Sequence, residues 1–162
     1  MSSAMEGQYA AANFPSVGRW AITALPPGWL WVAGFGVKQL VPSLQMIAAS
    51  VGVAEDKLPE NDKLASYIGK QTEMIQRHFQ HAKLAGPKPG AFPGAEESQL
   101  LMVRHAPPNA EVILHVQTYV RVGNWIGIVT FTTAEAQLRE VRPSYEMFLK
   151  GLRILPEEQT QP

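Results

Sequence analysis

Four histidines are the first residues in this chain to which chemistry could be assigned. His78 and His81 lie three residues apart, which sets two imidazoles on neighbouring ridges of a helix. No acidic or histidine partner is close in sequence, so a solvated helix face is expected and no metal site. His105 and His115 fall on two different strands and could meet. A packed, hydrogen-bonded histidine is expected there rather than a general base. A serine nucleophile wants a sharp strand-to-helix turn of the G-x-S-x-G kind, and neither Ser16 nor Ser144 has one. Glu96-Glu97 could resemble a glycosidase pair only if held across a cleft. Following a Gly/Pro-rich stretch, two neighbouring acids read as solvated. Gly34-Phe35-Gly36 is too short for a dinucleotide fingerprint, and no phosphate-binding loop occurs. With no cysteine there is no disulfide, thiol catalysis, iron–sulfur cluster or cysteine-ligated zinc. The reading is a non-enzyme, with no catalytic residues and no cofactor.

The aromatic residues carry a stronger signal. Trp20, Trp29, Trp31 and Phe35 are closely spaced, and Trp29 and Trp31 share a side if the stretch is extended. Core packing under a helix is one reading. The other is an aromatic anchor formed by Trp29, Trp31 and Phe35, either for a partner, since tryptophan dominates binding hot spots, or lining a small-molecule or lipid pocket.

These residues must be positioned by one domain. The 162 residues include 14 basic and 14 acidic side chains, with 46% hydrophobic content. A chain of that size buries roughly 70% of its unfolded surface. Zero formal net charge argues against nucleic acid and against a polybasic membrane module. The most apolar stretch, Trp20 to Val37, is interrupted by Pro26, Pro27 and glycines, so no integral membrane segment is expected. The first residues lack a basic, then apolar, leader pattern. A cytoplasmic location follows, or a periplasmic one if a leader has been removed. The expected organisation is a flexible N-terminus over 1–18, a single domain over 19–154 and a flexible tail over 155–162.

Strands are expected over Arg19–Leu25 and within Trp29–Val41 with a bend at its glycines; over Ser43–Val53 length and alanines allow a helix and alternation a strand, of which the strand is preferred. Asn61 or Asp62 can cap a helix reaching about Ala82, with Leu64, Ile68, Gln71, Ile75, Phe79 and Ala82 as its stripe. Ala85 to Gly94, with three prolines, reads as a loop that excludes helix or central strand. Ser98–His105, Val112–Val122 and Trp125–Thr132 read as strands. Thr133 can cap a helical start, and Pro143 is expected in the first turn of the last helix, whose buried stripe is Leu138, Val141, Tyr145, Phe148, Leu149 and Leu152.

Gly123-Asn124 is a two-residue hairpin signal. It sets Val122 opposite Trp125, Val120 opposite Gly127 and Val116 opposite Phe131. One face then carries Val112, Leu114, Val116, Val120, Val122, Trp125, Val129 and Phe131, and must be covered by the C-terminal helix. The reverse carries Ile113, His115, Gln117, Tyr119, Ile126 and Ile128, apolar bodies with polar tips. That face is expected to stay half-wet and bind a partner, with His115 and Gln117 supplying hydrogen bonds. Tyr119→Asp should then weaken capture without changing the melting temperature.

The pieces LPPGW (Leu25 to Trp29), LASYIGKQTEMI (Leu64 to Ile75), HVQTYVRVGNWIGIVTFTT (His115 to Thr133) and YEMFLKGLRI (Tyr145 to Ile154) resemble the PsbP-like and Mog-like superfamily over about residues 19–154. That superfamily includes DcrB lipoproteins, Ran-binding Mog proteins and bacterial Eag chaperones. The resemblance implies an α+β fold, an α/β/α sandwich around a mostly antiparallel sheet. It also implies a non-catalytic protein-binding adaptor or chaperone. Eag proteins shield the transmembrane segments of type VI secretion effectors in the bacterial cytoplasm, and this chain looks closest to them by length. The stretch Ile47–Ser50 fits the family's strand poorly. The expected partner is another protein, offering an apolar helix or strand, and a homodimer is allowed.

Overall fold

A computed structural model describes residues 14–43 and 46–157. In chain order they form β1 (Ser16–Val17), β2 (Trp20–Ile22), β3 (Trp29–Val32), β4 (Gly36–Gln39) and β5 (Ser50–Lys57). Next come α1 (Leu64–His78), β6 (Ala82–Pro89), β7 (Glu97–His105), β8 (Ile113–Val122) and β9 (Trp125–Ala134). A short 3-10 turn (Glu135–Gln137), α2 (Leu138–Gly151) and β10 (Leu152–Ile154) complete the chain.

The architecture grows from the Gly123-Asn124 turn. Gly123 adopts φ 60°, a left-handed conformation that glycine takes without a Cβ clash. The turn pairs Val122 with Trp125, Val120 with Gly127 and Val116 with Phe131, the expected register. Strands then add on both sides in the order β3-β4-β5-β9-β8-β7-β6, every pair antiparallel. A small sheet, β1-β2-β10, brings the N-terminal strands against the end of α2. Pairing therefore reaches outside 19–154, through Ser16–Val17 at one end. At the other, buried Leu155 donates its N–H to the Arg19 carbonyl at 2.7 Å. Residues 1–13 and 158–162, most of the two termini read as flexible, lie outside the described residues.

Alternation along the strands makes two cores. Val51, Val53, Val120, Val129 and Phe131 face α2 through Val141, Tyr145 and Phe148. Leu101, Val103, Tyr119 and Ile126 face α1 through Leu64, Tyr67 and Ile68. Helices on opposite faces of an antiparallel sheet make an α+β, α/β/α sandwich. Trp20 anchors the first core. It is fully buried, donates Nε1–H to the Ala54 carbonyl at 2.9 Å, and packs edge-on to Phe92 and obliquely to Trp125. Gly127 stands beneath the Trp20 and Trp125 indoles, where a Cβ would overlap both rings.

Several local expectations are corrected. The stretch over 85–94 is not all loop, because β6 runs to Pro89 as the terminal strand of the sheet, where missing N–H donors need no partner. Its ladder slips between Ala85 and Lys88, around the cis Gly86–Pro87 peptide. The strand expected from Ser43 begins at Ser50, and 44–45 lie outside the described residues. Asn61 takes φ 64° and caps nothing. Asp62 Oδ1 accepts the Lys63 N–H at 2.9 Å, and Lys63 occupies the cap position. α1 stops at His78, so Phe79 and Ala82 lie past its end. Thr133 stays in β9 opposite Leu114. Pro143 lies inside α2, on its exposed side, not in its first turn. It leaves one carbonyl a turn earlier without its helical donor, which an exposed face can give to water.

Candidate functional site

The residues expected to form one binding face are divided by α1. Tyr119 and Ile126 are 1% and 0% exposed, in the core beneath that helix. The Tyr67 and Tyr119 rings meet edge-on at 6.2 Å. Tyr119 donates its hydroxyl to Gln117 Oε1 at 2.5 Å, and Tyr67 donates to Asp56 Oδ2 at 2.7 Å. Burial pushes the Tyr119 phenol up to about 12. Burial, followed by the Asp56 hydrogen bond and charge, raises Tyr67 further. Both remain protonated donors at neutral pH. The hairpin half of this face is therefore sealed, which corrects the expectation that it stays half-wet. Tyr119→Asp would break the core.

Ile113, His115, Gln117 and Ile128 are half-buried. His115 Nδ1 shares a hydrogen bond with Thr132 Oγ1 at 3.0 Å, and Phe79 packs against both His105 and His115. Burial, then the proximity of His105, lowers the His115 imidazole below its ordinary value. On the helix, His78 Nδ1 contacts the Met74 carbonyl at 2.8 Å. Glu96 and Glu97 do not face each other across a cleft. Both grip Arg121, at 2.9 and 3.0 Å, and Glu96 Oε1 also accepts the Gly123 N–H. These acids brace the hairpin.

The aromatic cluster is split by the strand pleat. Trp29 is buried and Trp31 half-buried on the α2 side. Phe35 comes round the β3–β4 turn onto the α1 side, where its ring lies over Gly52. It is 41% exposed, and Leu30 on the same side is 47% exposed. Half-buried Val32 on β3 shares that side with Leu30, and half-buried Ile128 on β9 lies nearer α1. Among the described residues no helix packs on this half of the face over β3, β4 and the start of β5, while the far end of β5 meets α1 through the Asp56–Tyr67 hydrogen bond.

The other side of the sheet holds a feature the sequence reading missed. Between α2 and strands β7 and β8 lies a cavity of about 470 Å³. Leu100, Val116 and Phe131 form its floor, Leu138 and Leu149 one wall, and Phe92 from the β6–β7 connection its lip. Arg142 and Glu146 pair at 3.2 Å on its exposed rim. Thr118 and Tyr145 also line it; burial raises the Tyr145 phenol, and the neighbouring Thr118 hydroxyl partly offsets this. Ser98 also lines it and is 7% exposed, yet its Oγ has no hydrogen-bond partner among the described residues. A buried hydroxyl left unpaired costs about 1–3 kcal/mol. The signal lay in the alternation Ser98, Leu100, Met102, a hydroxyl at an inward position. It became readable only once the register with β8 placed Ser98 opposite Val120.

No family model and no curated protein matches the chain. Solved structures do. LpqN of Mycobacterium tuberculosis, involved in cell envelope biogenesis, aligns with a TM-score of 0.65 at 10% identity, over 87% of each chain. CyanoP, the PsbP of Synechocystis sp. PCC 6803, aligns with a TM-score of 0.58 at 14% identity, over 87% of this chain and 90% of its own. The Ran-binding protein Mog1p of Saccharomyces cerevisiae gives 0.57 at 10% identity, over 88% and 93%. The chain thus has the PsbP/Mog-like α+β fold. At such identities the likeness concerns the fold.

Proposed function

We propose that this protein is a non-catalytic adaptor or chaperone that holds an apolar segment of a protein partner. The observation that supports this most is the open half of the α1-side sheet face. There Leu30 and Phe35 project beside Val32 and Ile128, and exposed apolar patches on a folded domain mark interaction surfaces. Thr130, Thr132 and Gln117 border the patch with hydrogen-bonding groups that a purely hydrocarbon surface lacks. β3 ends the sheet, so its outer edge offers backbone groups to an extended segment. The partner-binding residues are then Leu30, Phe35, Gln117 and Ile128, with Ile113 and His115 at the margin. Tyr119 and Ile126 lie beside them on the same face, sealed under α1. The narrower reading, a cytoplasmic chaperone of type VI secretion effectors of the Eag and DcrB kind, rests on the sequence resemblance.

The test uses a synthetic apolar helical peptide of transmembrane length as the client. The wild-type protein should keep it in the supernatant on sedimentation. The Leu30→Asp/Phe35→Asp variant should hold it at least tenfold more weakly, about 1.4 kcal/mol, with the thermal midpoint essentially unchanged. A peptide that pellets with the wild type, or is held equally by the variant, overturns the proposal.

A further inference from the structure

We propose that the cavity between α2 and strands β7 and β8 binds a small, neutral, mostly apolar molecule with one hydrogen-bonding head group, which Ser98 receives. This site is on the opposite side of the sheet from the protein-binding face and is independent of it. Three observations carry the assignment. The volume, about 470 Å³, is in the range of small-molecule pockets. The floor and wall are hydrocarbon and aromatic, and the charged lining groups, Arg142 and Glu146, neutralise each other at the rim. A ligand bearing a net charge would have no buried counter-charge to meet.

Ser98 is the third observation. Of the buried side-chain polar atoms among the described residues, the Ser98 hydroxyl oxygen is the one with no hydrogen-bond partner. Its backbone is fixed, since the Ser98 carbonyl accepts the Gly90 N–H at 3.0 Å. Only the side-chain rotor is adjustable, and one rotamer change re-aims the hydroxyl. A serine hydroxyl both donates and accepts. It therefore suits an alcohol, phenol or ketone on an alkyl or aromatic body. The Gly90–Phe92 segment beside it is the entrance. A Cβ added at Gly90 would stand 3.3 Å from Leu100 and 3.4 Å from the Ser98 hydroxyl oxygen, so added bulk there narrows the way in.

Two probes of equal shape separate the apolar term from the hydrogen bond, namely naphthalene and 2-naphthol. Titration of the full chain, followed through the amide resonances of Gly90 and Ser98, should show both binding, with 2-naphthol about tenfold tighter. Ser98→Ala should abolish that preference and leave naphthalene affinity unchanged. Met102→Trp, at a half-exposed rim position chosen to preserve folding, should weaken both probes together. The Leu30→Asp/Phe35→Asp variant should bind both normally, so failure of the protein-binding reading is distinguishable from failure here. Absence of binding by either probe, equal affinities in the wild type, or a preference that survives Ser98→Ala each overturns the assignment.

Discussion

The two faces of the central sheet are made from the same strands and finished differently. Under α1, Leu101, Val103, Tyr119 and Ile126 meet Leu64, Tyr67 and Ile68 in a closed core, and both buried phenols have acceptors. Under α2, a larger core around Trp20, Phe131 and Phe148 gives way, over β7 and β8, to a cavity with a serine hydroxyl that has no partner among the described residues. Interiors close-pack wherever stability alone decides. The contrast separates a region finished for stability from one where about 470 Å³ and an orphan hydroxyl are retained at a cost. Such departures are where binding is to be sought.

The closed side of the sheet is tested most severely at Tyr119. If the α1 side is a true core, Tyr119→Ala should destabilise the fold by about 3–5 kcal/mol, as large aromatic truncations do. Chemical denaturation should show the midpoint fall with little change in slope. Tyr119→Phe removes only the hydroxyl and strands the Gln117 acceptor, which is half-buried, so a loss of about 1 kcal/mol is expected. A Tyr119→Ala protein as stable as the wild type would mean that α1 does not close this face.

How much of this was readable follows from which interactions are local. The Gly123-Asn124 turn carries its own register, so both faces of β8 and β9 and the α2 stripe of Val141, Tyr145 and Phe148 were legible. Coverage is not local. Nothing in the helix pattern from Leu64 to Ile75 says that it lies across Tyr119 and Ile126, so a buried face looked amphipathic and open. The prolines of β6 excluded a central strand but not an edge, and sheet order decides which it is. Pro143 misled for a similar reason, because its cost depends on the solvent exposure of that turn. Trp29, Trp31 and Phe35 seemed one cluster until the β3–β4 turn carried Phe35 to the opposite face. The cavity needs strand order, register and helix placement together, so only Ser98 hinted at it.

On the α2 side a smaller effect of opposite sign is expected. Ser98→Ala removes a buried polar atom that has no hydrogen-bond partner among the described residues and leaves the backbone bond to Gly90 intact. The fold should gain about 1 kcal/mol, the low end of the cost of an unsatisfied group. A substitution that raises the thermal midpoint while erasing selectivity for a hydroxylated probe is the signature of a site kept against stability. Loss of stability instead would mean that the hydroxyl has a structural partner.

The smallest expected effect is a pH dependence confined to the α1 side. His115 is half-buried on Thr132, faces His105 and the Phe79 ring, and has its imidazole lowered chiefly by burial. Its folded-state value is thus below the unfolded value of about 6.5. In that window the unfolded chain binds more protons than the folded one, so stability rises with pH and is lost on acidification. Melting midpoints should fall from pH 8 to pH 5.5, and His115→Gln, which keeps a hydrogen-bonding side chain against Thr132, should flatten that fall. Ser98→Ala, on the other face, should shift the whole curve without changing its slope, since the two sites share no titrating contact. A slope that changes with Ser98 and not with His115 would show that the two faces are coupled through the sheet, and the separation drawn between them would fail.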